Sequence, residues 1–168
     1  MARPRVSDGD PAAGANLGFL LSQLGAHVAG RFADGLAPLN VAPAHAGILR
    51  VLRQADGLSQ QALGERLGVF PSRLVGLIDE LEERRLVERR QNPTDRRSYA
   101  LYLTAKGREM VQKIDRVSSE QQQALCAALA EPERAQLRKL LRRIADEQGL
   151  KPDVNPGYRT LGSQQPKG

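Results

Sequence analysis

The side chains in this sequence best placed to do chemistry are arginines, and they are concentrated. Arg84, Arg85, Arg89, Arg90, Arg96, Arg97, Lys106 and Arg108 fall within one segment that holds only two acids, Glu88 and Asp95. The 168-residue chain has 25 Lys and Arg against 19 Asp and Glu, a net charge of +6, so the whole excess sits there and the remainder is neutral. A basic segment in an otherwise neutral protein points to a local polyanion contact, since counterion release rewards cations clustered on one surface. On charge alone, a solvated charged face is the competing reading.

Catalytic chemistry finds no comparable support. There is no Ser/His/Asp or Cys/His constellation, no nucleotide-type glycine loop after a strand and no recognisable pair of carboxylates. Cys126 cannot close an internal disulfide, and with only His27 and His45 beside it there is no zinc-ligand spacing. We therefore expect no catalytic residues, no metal and no cofactor. A 40% hydrophobic, 26% charged composition is that of a globular protein, and no apolar run approaches the roughly 20 residues of a membrane span. The opening MARPRVSDGDPAAGA lacks the apolar stretch of a secretory signal, so the expected location is the cytoplasm, with no membrane partner.

The elements that must position the arginines follow from periodicity. Leu17, Leu20, Leu21, Leu24, Val28 and Phe32 recur at helical spacing and predict a first helix ending near Pro38. A second starts after Pro43, buries Ile48, Leu49, Val51 and Leu52, and stops at Asp56-Gly57. Ser59 is suited to cap a short third helix that buries Leu63 and Leu67 and ends at Gly68. Pro71 opens a fourth, running to about Arg85. The third and fourth helices with their tight turn have the spacing of a helix-turn-helix. On the fourth, Leu74, Leu77, Ile78 and Leu81 share a core stripe, opposite Ser72, Arg73, Gly76, Asp79 and Glu80. In a major groove, Arg73 would reach guanine O6 and N7 and Ser72 a base or phosphate. A plain helical hairpin in an all-α bundle is the alternative.

Two strand-like segments follow, Leu86 to Gln91 and Ser98 to Leu103, around the turn-rich Asn92-Pro93-Thr94-Asp95-Arg96-Arg97. A β-hairpin directly after a helix-turn-helix, with arginines at its tip, reads as a wing suited to a minor groove. Thr104 can cap a fifth helix of about 25 residues reaching Leu125 and Leu129, and Glu131-Pro132-Glu133 opens a sixth with Leu137, Leu140, Leu141 and Ile144 as its stripe. One DNA module cannot cover the first, fifth and sixth helices, so they should pack against their copies in a two-fold homodimer.

From Asn16 to Gln148 the chain resembles the MarR family of bacterial transcription regulators. The likeness is carried by LSQQALGERLGVFPSRLVGLIDELEERRLVERR, by NPTDRRSYALYLTAKG and by EPERAQLRKLLRRI. Asp95 and Arg97 match the family's Asp-x-Arg wing tip, and Leu103, Thr104 and Gly107 match its Leu-Thr-x-x-Gly. The resemblance implies a mainly α fold with a small β-hairpin wing, a winged helix-turn-helix with a helical dimerisation region. It also implies that Arg97 enters the minor groove, that Asp95 holds it there, that Arg89 contributes from the first strand, and that Arg90 and Arg96 reach phosphates. The candidate DNA-binding set is thus Ser59, Ser72, Arg73, Val75, Gly76, Arg89, Arg90, Asp95, Arg96 and Arg97.

The departures from the family pattern are specific. Val75 and Gly76 stand where polar base-reading residues are usual, leaving Val75 suited to a thymine methyl. Arg85 replaces a common glycine after the fourth helix, and Glu80 and Glu82 are acidic near the expected phosphate track.

Domain organisation is read as a flexible segment 1–15, one unit over 16–148 and a mobile or peripheral tail 149–168. Within the unit, dimerisation helices span about 16–37 and 105–148, and the DNA module about 43–104. The expected function is a repressor that binds a palindromic operator as a homodimer and is released by a small aromatic or anionic effector. His27, Arg31 and His45 are the candidate ligand residues, each also readable as an ordinary packed or surface side chain. Cys126 reads as structural. The alternative is an α-helical dimeric interaction protein that has lost sequence-specific DNA binding.

Overall fold

A computed structural model describes residues 16–91 and 99–150, together with Asn155. The expected segment 1–15, the wing tip with Asp95, Arg96 and Arg97, and nearly all of the tail lie outside the described residues.

Among the described residues, six helices and three short strands follow one another as α1 (Leu17–Leu36), α2 (Pro43–Gln54), β1 (Leu58–Ser59), α3 (Gln60–Leu67), α4 (Pro71–Glu83), β2 (Val87–Gln91), β3 (Tyr99–Leu103), α5 (Ala105–Leu125) and α6 (Glu131–Glu147). A single 3-10 turn, Ala37–Leu39, links α1 to α2. The helix boundaries follow local chemistry. Asn16 caps α1 by accepting from the Gly18 amide, Ser59 caps α3 by accepting from Ala62, and Thr104 caps α5 by accepting from Gly107. Proline stands in the first turn of α2, α4 and α6, where its missing N–H costs nothing. The fifth helix is shorter than its sequence suggests. It stops at Leu125, and Leu129 falls in the turn before α6.

The sheet is antiparallel in the order β1-β3-β2, with Leu58 opposite Leu101 and Val87 opposite Leu103. The hairpin of β2 and β3 agrees with the sequence reading. The third strand does not appear in that reading because two residues are too few to show alternation.

The core forms where α2, α3, α4 and the base of the hairpin meet. Ile48, Leu49, Leu52, Leu63, Leu74, Ile78, Leu81, Leu86, Leu101 and Leu103 are buried together, joined by Val111 and Ile114 of α5 and Leu36 of α1. The remaining helical surface is left open. Leu17, Phe19 and Leu24 of α1 are more than half exposed, and Leu137, Leu140, Leu141 and Ile144 of α6 are each 40–44% exposed. No residue of α6 is buried in the single chain. Among the described residues, no helix is long and apolar enough to cross a membrane.

Candidate nucleic-acid interface

Helix α4 turns its apolar stripe inward and leaves a short polar edge outward. Leu74, Ile78 and Leu81 are buried, whereas Ser72, Val75, Gly76, Asp79 and Glu80 are exposed and Arg73 is half-buried. Arg73 has no ion-pair or side-chain hydrogen-bond partner among the described residues, so its guanidinium is uncommitted. Nothing lies within 4 Å of where a β-carbon on Gly76 would stand, which makes this part of the helix an open backbone surface. Phe70, the residue before Pro71, is 68% exposed. It borders a depression of about 740 Å³ lined by α3 and the start of α4, including Gln60, Gly64, Val69, Pro71 and Leu74.

Ser59 sits at the other end of the motif. Its Oγ accepts from the Ala62 amide at 3.2 Å, so the oxygen is engaged in capping α3.

The basic segment is less uniform than its composition suggests. Arg84 donates to the Leu39 carbonyl at 3.3 Å, and Lys106 donates to the Arg84 carbonyl at 3.0 Å, a cation at the carbonyl end of α4. Arg108 lies 3.7 Å from a carboxylate oxygen of Asp56. Arg90 pairs with Glu88 and stacks over the Tyr102 ring, 4.7 Å from its centroid, with most of its side chain still exposed. Part of the positive charge is therefore used to join α4, the sheet and α5.

Among the described residues of this segment, Arg89 is the most committed. Its Nη2 donates to Asp79 Oδ1 at 2.5 Å, its Nη1 to Glu82 Oε2, and its backbone N–H to Glu82 Oε1 at 3.2 Å. Burial works against the charge, but the hydrogen bond to Asp79 and the field and hydrogen bond of Glu82 outweigh it and raise the Arg89 pKa above its ordinary value. The acids of α4, ill-placed beside a phosphate track, are in part the anchor of the first wing strand.

The end of α4 settles the question raised by Arg85. Its N–H reaches the Glu82 carbonyl at 2.8 Å and the Leu86 N–H reaches the Leu81 carbonyl at 2.9 Å, the paired bonds of a Schellman termination. Arg85 supplies the left-handed residue, with φ +58°. The turn is thus kept by an arginine in a glycine's conformation.

The three candidate ligand residues do not share one cavity. His27 and Arg31 border a small cavity of about 60 Å³ with Val28, Gln121 and Leu125 between α1 and α5. His45 lies in a cleft of about 490 Å³ with Asn40, Glu80, Glu83 and Arg84, where the end of α1 and the start of α2 meet α4. It is buried, with Nδ1 accepting from the Ala42 amide at 3.4 Å and Nε2 2.9 Å from Glu80 Oε2. That second contact pairs the ring with a carboxylate, but it is too poorly directed to count as a hydrogen bond. Burial is the main force lowering the His45 pKa; Glu80 opposes it and Arg84 reinforces it.

Sequence reasoning missed the partnership of Arg89 with Asp79 and Glu82. No sequence signal marks it, because separations of ten and seven residues become contacts only through the course of the turn between α4 and β2.

Residues 39–98 match the sequence profile of the MarR family. A protein of Thauera aromatica, whose name provisionally assigns it to regulation of the hcr operon, is 38% identical over 104 residues. That match covers 62% of this chain and 63% of the Thauera protein, slightly under two thirds of its length. An HTH-type transcriptional repressor of Mycobacterium tuberculosis is 27% identical over 79% of this chain and 96% of its own. Among solved structures, the repressor CouR bound to a 23-mer DNA duplex superposes with TM-score 0.70 at 29% identity, covering 84% of this chain and 99% of that one. CouR of Rhodococcus jostii RHA1 bound to p-coumaroyl-CoA gives TM-score 0.67 at 31% identity, over 81% and 96% of the two chains.

Proposed function

The chain belongs to the MarR family of transcription regulators, and on that premise we propose that it is a repressor that binds a palindromic operator as a homodimer and releases it when a small effector binds. The observation that carries the DNA-binding part is the outward edge of α4, where Ser72, Val75 and an uncommitted Arg73 stand beside an open Gly76. Arg73 is the base reader, with bidentate geometry suited to guanine, and Ser72 and Val75 supply a polar and a methyl-sensing contact. Arg90 reaches a phosphate from the first wing strand. Asp95, Arg96 and Arg97 take the wing-tip roles implied by the family pattern, with Arg97 in the minor groove.

The dimer is supported by the exposed apolar stripes of α1 and α6, which water alone would have to cover in a monomer. Two-fold symmetry then sets the half-sites about one helical turn apart. For the effector, CouR bound to an aromatic thioester shows what one relative of this fold accommodates, and the cleft beside His45 offers an apolar wall with a few polar groups.

The alternative, a helical dimer without sequence-specific DNA binding, draws on the sparse base-reading chemistry of Val75 and Gly76. A mobility-shift assay on the DNA upstream of the protein's own gene separates the two. Retention of a discrete complex against excess scrambled DNA is expected. Equal competition by scrambled DNA would favour the alternative.

A further inference from the structure

We propose that Arg89 is a positioning residue and that its ion pairs with Asp79 and Glu82 hold the recognition helix and the wing at one fixed spacing, so that major- and minor-groove contacts are made together. The inference rests on the DNA-binding reading above and goes beyond it by assigning the acids of α4 a part in specificity.

Three contacts make the joint. Arg89 on β2 spans two carboxylates one helical turn apart on α4, and its own amide is held by the second of them. The guanidinium fork suits this, since its nitrogens are fixed in one plane and can serve two acceptors without a change of rotamer. The Arg89 side chain is 23% exposed, which shields the pairs in part from water and salt. With both acceptors satisfied, little of the fork is left for a phosphate, unlike Arg90, whose side chain is 58% exposed. A hairpin anchored only through its base would be free to tilt. Anchored to α4 through Arg89, β2 is held at a set distance from the helix that carries Arg73.

The sign of one experiment distinguishes this from a direct DNA contact. If Arg89 bound phosphate, replacing Asp79→Asn and Glu82→Gln together would free it and remove two repelling charges, so binding would tighten. The positioning role requires the reverse. In fluorescence anisotropy on the full chain, the double variant should bind the fragment retained in the mobility shift roughly tenfold more weakly and bind scrambled DNA no more weakly. Arg89→Gln should lose the same factor, and the triple variant should lose no more than either. Arg89→Lys, which keeps the charge but not the planar fork, should fall between. A Glu109→Gln, Glu120→Gln variant makes the same charge change on exposed positions of α5 and should not lose specificity.

Amide hydrogen exchange without DNA gives an independent reading. Exchange at Arg89 and its β2 neighbours should accelerate in the Asp79→Asn, Glu82→Gln variant while the urea midpoint stays close to that of the parent. Tighter operator binding by that variant, or unchanged β2 exchange, would overturn the inference. A parent protein that does not distinguish the fragment from scrambled DNA would instead count against the proposed function, leaving the exchange result to decide the joint.

Discussion

A β-carbon on Gly107 would stand 2.0 Å from the carbonyl oxygen of Leu86. No side chain can move aside there, because the obstacle is backbone. The Leu-Thr-x-x-Gly pattern is thereby explained as a joint. Leu103 is buried, Thr104 Oγ donates to the Arg85 carbonyl at 2.7 Å and accepts from the Gly107 amide at 2.9 Å, and Gly107 lets α5 press against the start of β2.

Gly107→Ala should therefore destabilise the fold by about 3 kcal/mol, at the upper end of ordinary overpacking because neither backbone can yield cheaply. Urea denaturation checks this. A change of no more than about 0.5 kcal/mol, the range of a neutral surface substitution, would show that the joint can open without cost.

Arg85→Gly should act in the other direction. Arg85 holds φ +58°, whereas the similar turn after α6 gives this conformation to Gly149, at φ +67°. A left-handed conformation costs a residue with a β-carbon roughly 1–2 kcal/mol, part of which glycine returns as entropy of the unfolded chain. A net gain of about 1 kcal/mol in thermal or urea stability is expected, and a decrease would mean that the arginine side chain contributes more than its backbone costs.

His45 makes stability depend on pH. Burial lowers its pKa in the folded chain below the unfolded value near 6.5, so between the two it is the unfolded chain that holds the proton. The stabilisation is fully present above about pH 6.5 and is lost as pH falls through the folded pKa. Between about pH 7.5 and 5.5 the urea midpoint should drop further for the parent protein than for His45→Gln, with His27 common to both. Parallel decreases would show that His45 titrates as it does in water.

Base reading is assigned to Arg73. Replacing it with alanine should weaken operator binding by about 1 to 3 kcal/mol per half-site, the worth of a bidentate arginine–guanine pair, and should relax preference at one position of each half-site. Binding to scrambled DNA should change less. An equal effect on every sequence would make Arg73 a phosphate-binding residue.

How far the sequence led differs between fold and site. The apolar stripes of α2 and α4 and the caps at Ser59 and Thr104 are local signals, and the structure places them as read. The strand at Leu58–Ser59 is not legible in the sequence because its pairing with Leu101 and Ala100 is a long-range event with no periodicity of its own. The acids of α4 read as a liability for DNA binding, since a charge on a helix face gives no indication of the strand that will fold back to meet it. Arg89 shows the same limit from the other side. Its charge is visible in the sequence and its partners are not.

The central claim is that a dimer reads an inverted repeat, and it is tested most directly by fluorescence anisotropy on three duplexes at one near-physiological salt concentration. The first carries the intact repeat from the fragment retained in the mobility shift, the second has one half-site scrambled, and the third has about five base pairs, half a helical turn, inserted between the halves. The intact duplex should bind at least about 10³-fold more tightly than a fully scrambled reference duplex, and both altered duplexes should lose most of that advantage, the second because one subunit has no half-site and the third because half a helical turn moves its second half-site to the opposite face. Equal affinity for all three duplexes would contradict the account.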